Sequence, residues 1–429
     1  MANIELHRTF HLSGTNIEDF FDAVQSMEKA TKCQLVHTDQ LAIGQLVDCG
    51  IDARDIALTS QTTEPLSNTT ASVMDLFDSA RTSNKMVLYY CAPNAKFNLK
   101  LVAKDRFLER SGMSTELYND LTDASRMLLF IDRECYIVSE LAHSSLNSRA
   151  SLSGNAMIKP TVGRACEIAK SFFHYNPQTM SLVTRSQGDT KILIAAHSEK
   201  YCYVPQTIVC DIYDKITAGF GQVDCLFWEV SHERSHCYVG FPEIAKTFAE
   251  TYKLPDGIIP GLFISTSDSG DGAITVRGIW NVKGHMIGGE SISRYHRGDI
   301  DIAELVSKAQ KTIFEKYTAI PERLAELLTI TVPSPRETIK SVFKQIQISK
   351  STNLGKKNAM ALYSALISEF LPGGTYTAYD VALAIASAPD RCATELHYST
   401  VEKLQNLAKA ALFADYTKTA PVEEEFILV

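Results

Sequence analysis

Three strand-like segments, separated only by turn residues and followed directly by an amphipathic helix, constrain this chain more than any other feature. The segments are Gly261 to Ser267, Ala273 to Val282 and His285 to Tyr295, with Asp268-Ser-Gly-Asp-Gly272 and Lys283-Gly284 between them. Connections this short leave no room for a crossover, so neighbouring strands must pair antiparallel. The following helix carries Ile302, Leu305, Val306, Ala309 and Ile313 on one face, with Asp299 or Asp301 as its N-cap. The pattern predicts an α+β fold whose strand-rich, antiparallel middle domain contains a β-β-β-α core.

Other signals divide the remainder. Residues 1–155 read as a mixed α+β domain. Asn16 caps a helix bearing Ile17, Phe20, Phe21, Val24 and Met27, and Val73, Leu76, Phe77 and Ala80 mark a second helix. Met86 to Cys91 and Phe97 to Leu101 read as strands, and Leu128 to Ile131 with Cys135 to Val138 as a hairpin. Ser144 to Gly154, rich in Ser, Asn and Gly, reads as the linker to the middle domain, residues 156–334. There, Gln187-Gly-Asp189 turns a hairpin, a helix covers Gln206 to Ala218, and strands at Cys225 and Cys237 face each other across His232-Glu-Arg-Ser235. A short helix is expected near Glu243. Residues 335–429 read as helical, with segments around Ile339, Leu362 and Ala378 and a capping box at Ser399 and Glu402.

A length of 429 residues calls for more than one ordinary core. No apolar run approaches the roughly 18 residues of a membrane span, and the N-terminus has no signal-like apolar stretch. The ten cysteines are scattered without a C-x-x-C, as in a reducing cytoplasm. A net charge of −8 argues against a wholly basic nucleic-acid coat. Positive charge is nonetheless concentrated locally, with six Lys/Arg against one Asp/Glu between Pro335 and Lys357.

The middle domain resembles the phage/plasmid-like domain-of-unknown-function 932 family over about residues 258–330. Ser267 and Asp268, then Gly289, Glu290 and Ser291, then His296, Arg297 and Gly298 match that family's elements in order. Lys283-Gly284 departs from it, standing where members often have a Cys-Asn-Gly or Cys-Gln-Gly turn. The resemblance implies a mobile element in a bacterial cytoplasm and no particular activity. Element order is also similar to the β-β-β-α core of single-strand annealing proteins, which implies a multimer that handles single-stranded nucleic acid.

Such binding needs cations that follow the phosphates and flat rings that stack on bases. The candidates are Arg294, Arg297, Arg336, Lys340, Lys344, Lys350, Lys356 and Lys357, with Trp280 and Tyr295 as the rings. Arg336, Lys340 and Lys344 recur every four residues and would form one exposed stripe. His232-Glu-Arg-Ser-His236 has the letters of a zinc-hydrolase motif, with Cys237 as a third ligand, but its flanks have strand character. Gly355-Lys-Lys357 lacks the rest of a P-loop, and no cofactor is expected. Glu423 to Val429 ends the chain with an acidic run before four apolar residues, which suits a protein partner. The leading expectation is a non-enzymatic homo-oligomer that binds or anneals single strands. A self-assembling structural or host-takeover protein is the first alternative, and a hydrolase at His232 and His236 the second.

Overall fold

The computed structural model describes residues 10–47, 87–91, 98–100, 127–131, 134–151, 162–187, 190–269, 273–296, 300–314, 317–347, 355–371, 374–391 and 398–419. The fold is α+β, organised around two sheets. An eight-stranded mixed sheet contains β2 (Thr31–His37), β3 (Leu41–Val47), β4 (Val87–Cys91), β5 (Asn98–Lys100), β6 (Met127–Ile131), β7 (Glu134–Val138), β8 (Thr179–Gln187) and β9 (Thr190–Ser198). Their order is β2-β8-β9-β7-β6-β3-β4-β5, with β7 and β9 parallel. A six-stranded antiparallel sheet contains β1 (His11–Gly14), β10 (Asp224–Ser231), β11 (Ser235–Gly240), β12 (Ile258–Thr266), β13 (Ile274–Val282) and β14 (His285–Arg294), in that spatial order. Short β15 (Thr331–Val332) and β16 (Tyr376–Thr377) pair with each other.

The helices form where the sequence provides both caps and apolar faces. Asn16 caps α1 (Ile17–Ala30) by accepting from Glu18 N at 2.8 Å, and Phe20, Ala23, Val24 and Met27 are buried beneath it. The middle region continues with α2 (Glu140–Arg149), α3 (Val162–Tyr175), α4 (Ile208–Thr217) and α5 (Pro242–Tyr252). After β14 come α6 (Ile302–Ala309), which runs into a π-helical turn over Gln310–Phe314, and α7 (Ala319–Thr329). The helical region contains α8 (Pro335–Gln345), α9 (Gly355–Ile367), α10 (Ala378–Ala386), α11 (Ala388–Arg391) and α12 (Tyr398–Leu412). The side chain of Ser399, expected to cap α12, lies outside the described residues. A capping box forms at Thr377 and Asp380, at the start of α10. Among the described residues, no helix is long and apolar enough to cross a membrane.

Three sequence expectations are corrected by this architecture. The stretch read as a linker from Ser144 is helical to Arg149, because Ser139 caps α2 and Ala142, Leu146 and Ala150 form a buried i, i+4, i+8 stripe against β9. Sheet membership also ignores the 155/156 division. Strands β8 and β9 complete the sheet begun by the N-terminal strands, whereas β1 crosses to the other sheet and pairs with β10. Among the described residues, the C-terminal helices share a core with the six-stranded sheet. Ile339, Phe343, Leu362, Val381 and Leu407 share one continuous apolar cluster with Val276 and Ile287 of the six-stranded sheet. The helix expected around Val73 and the tail Glu423–Val429 lie outside the described residues.

Helix α12 lies close against β14, and Gly288 permits the approach. A Cβ built there would lie 2.5 Å from Asn406 Oδ1 and 3.2 Å from the Asn406 backbone nitrogen. Lys409 ties the same helix to Glu290 at 2.8 Å. Gly288→Ala is therefore expected to cost about 1–3 kcal/mol by overpacking. Gly219→Ala, which meets nothing within 4 Å, should stay within about 0.5 kcal/mol. Urea unfolding of the two variants beside the parent chain checks the contrast.

Candidate functional site: a polar cleft between the sheets

Arg185 is a charged residue in the hairpin β8–β9, just after a register shift at Val183/Thr184. The side chain is fully buried and crosses to the other sheet. Its Nη2 meets Asp268 Oδ2, beyond the end of β12, at 3.4 Å. Nη1 donates to the His232 carbonyl at 2.7 Å and to His232 Nδ1 at 3.2 Å, in the β10–β11 turn. Nε donates to Thr31 Oγ1 at 3.2 Å. Gln206 adds a second tie, donating to Asp268 Oδ2 at 2.5 Å and accepting from Ser235 Oγ at 2.5 Å. Burial raises the Asp268 carboxyl and lowers the Arg185 guanidinium, and each charge opposes the shift of the other.

Beside this link a cleft of about 340 Å³ opens between the sheets. One wall is α2, presenting Ser144, Ser145, Ser148 and Arg149. Ser145 pins that helix to β9 by accepting from Ala196 N at 2.8 Å. The opposite side comes from the ends of β12 and β14, with Ser267, Ser269, Tyr295 and His296. His197, Lys200 and Tyr201 at the end of β9 close the third side. Among the described residues lining the cleft there is no carboxylate.

The floor is a stack of rings. His197 lies on Tyr201 with centroids 3.8 Å apart and planes 10° apart, and Tyr201 in turn faces His296 at 5.5 Å and 12°. His197 Nε2 donates to the Asp268 carbonyl at 2.8 Å, which joins the floor to the inter-sheet link. The Tyr201 hydroxyl lies 3.1 Å from His296 Nδ1, and Cys202 N donates to the His296 carbonyl at 3.1 Å. Ser267 Oγ donates to the Glu233 carbonyl at 2.6 Å and sits 2.9 Å from Ser269 Oγ. Burial pushes His296 down to about 4 and also lowers His197, so both imidazoles are neutral at pH 7. Two buried polar atoms here, Asp268 Oδ1 and His296 Nε2, have no hydrogen-bond partner among the described residues.

The residues expected to bind nucleic acid are only partly brought together. Tyr295 stands exposed at the cleft lip, with 74% of its surface accessible. Trp280 is 1% exposed, packed between Phe248 and Tyr317, because it lies on the core face of β13; base stacking by it is ruled out. Lys340 is also buried, so the expected stripe is broken. Helix α8 packs against α9 and α10 and buries every residue from Thr338 to Phe343. Arg336 and Lys344 remain exposed, and Arg294 pairs with Glu304 at 3.2 Å. Arg297, Gly298 and Lys350 lie outside the described residues; Lys356 and Lys357 begin α9, with their side chains undescribed.

Among the residues picked out by the family resemblance, Ser267, Asp268 and His296 converge on the cleft and its inter-sheet link. Gly289 and Glu290 instead form the bulge of β14 opposite Gly278, and Ser291 pairs with Arg277. The hydrolase motif is divided. His232 sits in the β10–β11 turn beside Arg185, and His236 and Cys237 point to opposite faces of β11. Arg149, His197, Lys200 and Tyr201 were missed by sequence reasoning. The signal available for Arg149 was the i, i+4 recurrence of Ser144, Ser148 and of Leu141, Ser145, Arg149. No protein-family model, curated protein or solved structure matches the chain.

Two outcomes follow from the buried groups. Arg185→Met and Asp268→Leu are each expected to cost about 3–5 kcal/mol, because each strands a buried charge. The double variant should lose less than the sum, which a double-mutant cycle in urea measures. The neutral His296 makes stability depend on pH. Its folded value lies below its unfolded one, so the unfolded chain binds more protons between pH 6.5 and about 4. This contribution is complete above 6.5 and lost as pH falls through that window, whereas the raised Asp268 opposes it. His296→Gln should therefore flatten the slope of stability against pH there by about 1 kcal/mol per unit, as seen in melts across the window.

Proposed function

We propose that this protein binds single-stranded nucleic acid without catalysing a reaction, seating the strand in the cleft between its two sheets. The observation that carries this reading is the lining of the cleft. Arg149 and Lys200, two neutral imidazoles and a set of serine hydroxyls face one space with no opposing carboxylate among the described residues, and exposed Tyr295 stands at the lip. Phosphate oxygens suit such a surface, and an exposed phenol offers a face for a base. The chain's net charge is −8, and among the described residues no acidic side chain belongs to this lining. The convergence here of Ser267, Asp268 and His296, which carry the resemblance to a phage and plasmid family, supports a mobile-element role for the same site.

Assembly of identical copies belongs to this proposal. Strands β2 and β14 each pair on one side only among the described residues, and Leu35 on β2 is 62% exposed. An open edge with an apolar residue invites pairing with a second strand. A size measurement beside the binding experiment reports it.

Fluorescence anisotropy with a short single strand at several salt concentrations tests the placement. Removing one cation from a phosphate should flatten the log–log salt slope by roughly 0.7. Arg149→Gln with Lys200→Gln is expected to flatten it by about 1.4. Tyr295→Ala should cost roughly 1–3 kcal/mol with little salt dependence. Arg336→Gln with Lys344→Gln should change the slope less than the cleft pair does. The opposite ranking moves the interface to α8, and no binding by the parent chain even at low salt rules out the reading.

A further inference from the structure

The floor of the cleft contains an unsatisfied atom whose chemical identity can be worked out. His296 is 5% exposed, lines the cleft, and its Nε2 has no partner among the described residues. Its other nitrogen, Nδ1, faces the Tyr201 hydroxyl at 3.1 Å. Among the described residues the Tyr201 hydroxyl has no other hydrogen-bond partner, so its proton is assigned to the contact with Nδ1. A neutral imidazole that accepts at Nδ1 carries its own proton on Nε2. The orphan is therefore a donor, and whatever completes it is an acceptor.

The surroundings narrow that acceptor further. Ser267 and Ser269 share the floor and are 3% and 6% exposed. Ser267 gives its proton to the Glu233 carbonyl, so the Ser269 hydroxyl donates to Ser267 Oγ at 2.9 Å; a ligand draws it away from that bond, and Ser267 Oγ then keeps the Ser269 N–H at 3.4 Å. The floor side chains are neutral, and charge stands at the rim, on exposed Lys200 and half-buried Arg149. An internal phosphodiester continues in both directions and brings one negative charge. A phosphate monoester ends a chain, offers three terminal oxygens, and brings a charge of about −1.5 to −2 at neutral pH. A buried neutral floor beneath two rim cations matches the second.

We infer that the cleft floor is a seat for a terminal phosphate monoester, received by His296 Nε2–H and the Ser269 hydroxyl, with Lys200 and Arg149 balancing its charge. The inference rests on the nucleic-acid reading and specifies which part of a strand enters first. Tyr201 serves here as a positioning residue, since it sets which imidazole nitrogen faces the ligand.

Isothermal titration with one short single strand, carrying a 5′-phosphate, a 3′-phosphate or hydroxyls at both ends, tests the seat. A nucleoside monophosphate is the fourth ligand. At least tenfold tighter binding of one phosphorylated strand over the hydroxyl-ended strand is expected, and the preferred terminus identifies the end. His296→Phe should abolish this preference, and His296→Gln, which keeps an N–H donor, should retain part of it. Thermal melts establish that these variants fold. Nitrogen NMR of the parent chain needs no variant: Nε2 of His296 should be protonated and Nδ1 bare, and the reverse tautomer overturns the inference. Equal binding of all three strands overturns the seat and leaves the strand reading intact. Binding of the monophosphate with no strand bound keeps the seat and overturns the strand reading. Binding of none overturns both.

Discussion

The Arg185–Asp268 pair determines how the two sheets meet, and the cleft exists only because they meet in that way. Two charges removed from water are costly unless geometry and further hydrogen bonds compensate. Here Arg185 also donates to His232 and Thr31, and Gln206 serves the same Asp268 oxygen. Sliding one sheet past the other would strand all of these groups together. The pair is thus poor as a source of net stability and effective as a register pin. It also sets the site directly. The Asp268 carbonyl orients His197, and the residues on either side of Asp268 are the two floor serines.

Within the cleft, burial and charge are separated by depth. The deepest groups are neutral rings and hydroxyls, which tolerate desolvation when hydrogen-bonded, and the permanent cations stay where water still reaches them. Full charges at the floor would have cost far more than the neutral donors found there. A ligand that arrives charged must lose its own hydration to reach the floor, so the rim cations meet it first and the donors below decide its orientation. Electrostatic attraction and geometric selection are in this way assigned to different residues.

Local signals in the sequence were dependable, and signals that needed knowledge of tertiary partners were not. The β12-β13-β14 meander and the helix after it follow from alternation and from turns too short for any other pairing. Asn16 could be read as a cap because its hydrogen bonds reach only two or three residues along. By contrast, α2 looked like a linker because its exposed face is serine-rich and its apolar stripe consists of only Ala142, Leu146 and Ala150. Lys340 was assigned to solvent by spacing alone, although α9 and α10 close over that side of the helix. Trp280 presented the same difficulty, since a ring suited to stacking on a base is equally suited to filling a core. Arg185 was the clearest missed signal: a guanidinium close behind Leu182 and Val183 on a buried strand needs a buried partner, and the partner was a residue already singled out by the family resemblance.

Strand β1 gives the chain a particular order of events during synthesis. His11 pairs with Ser231, and Phe10 and the apolar face of α1 pack into the core built around the same sheet. Strand β1 therefore waits for α1 to α4 and β2 to β9 to be synthesised before its partner strand is made. Throughout that interval Phe10 lacks His232, and Phe20 and Gly14 lack Trp228. Whatever shields them, whether transient packing of α1 on β2 or a chaperone, acts on a nascent chain in which β1 is placed only once β10 has been made.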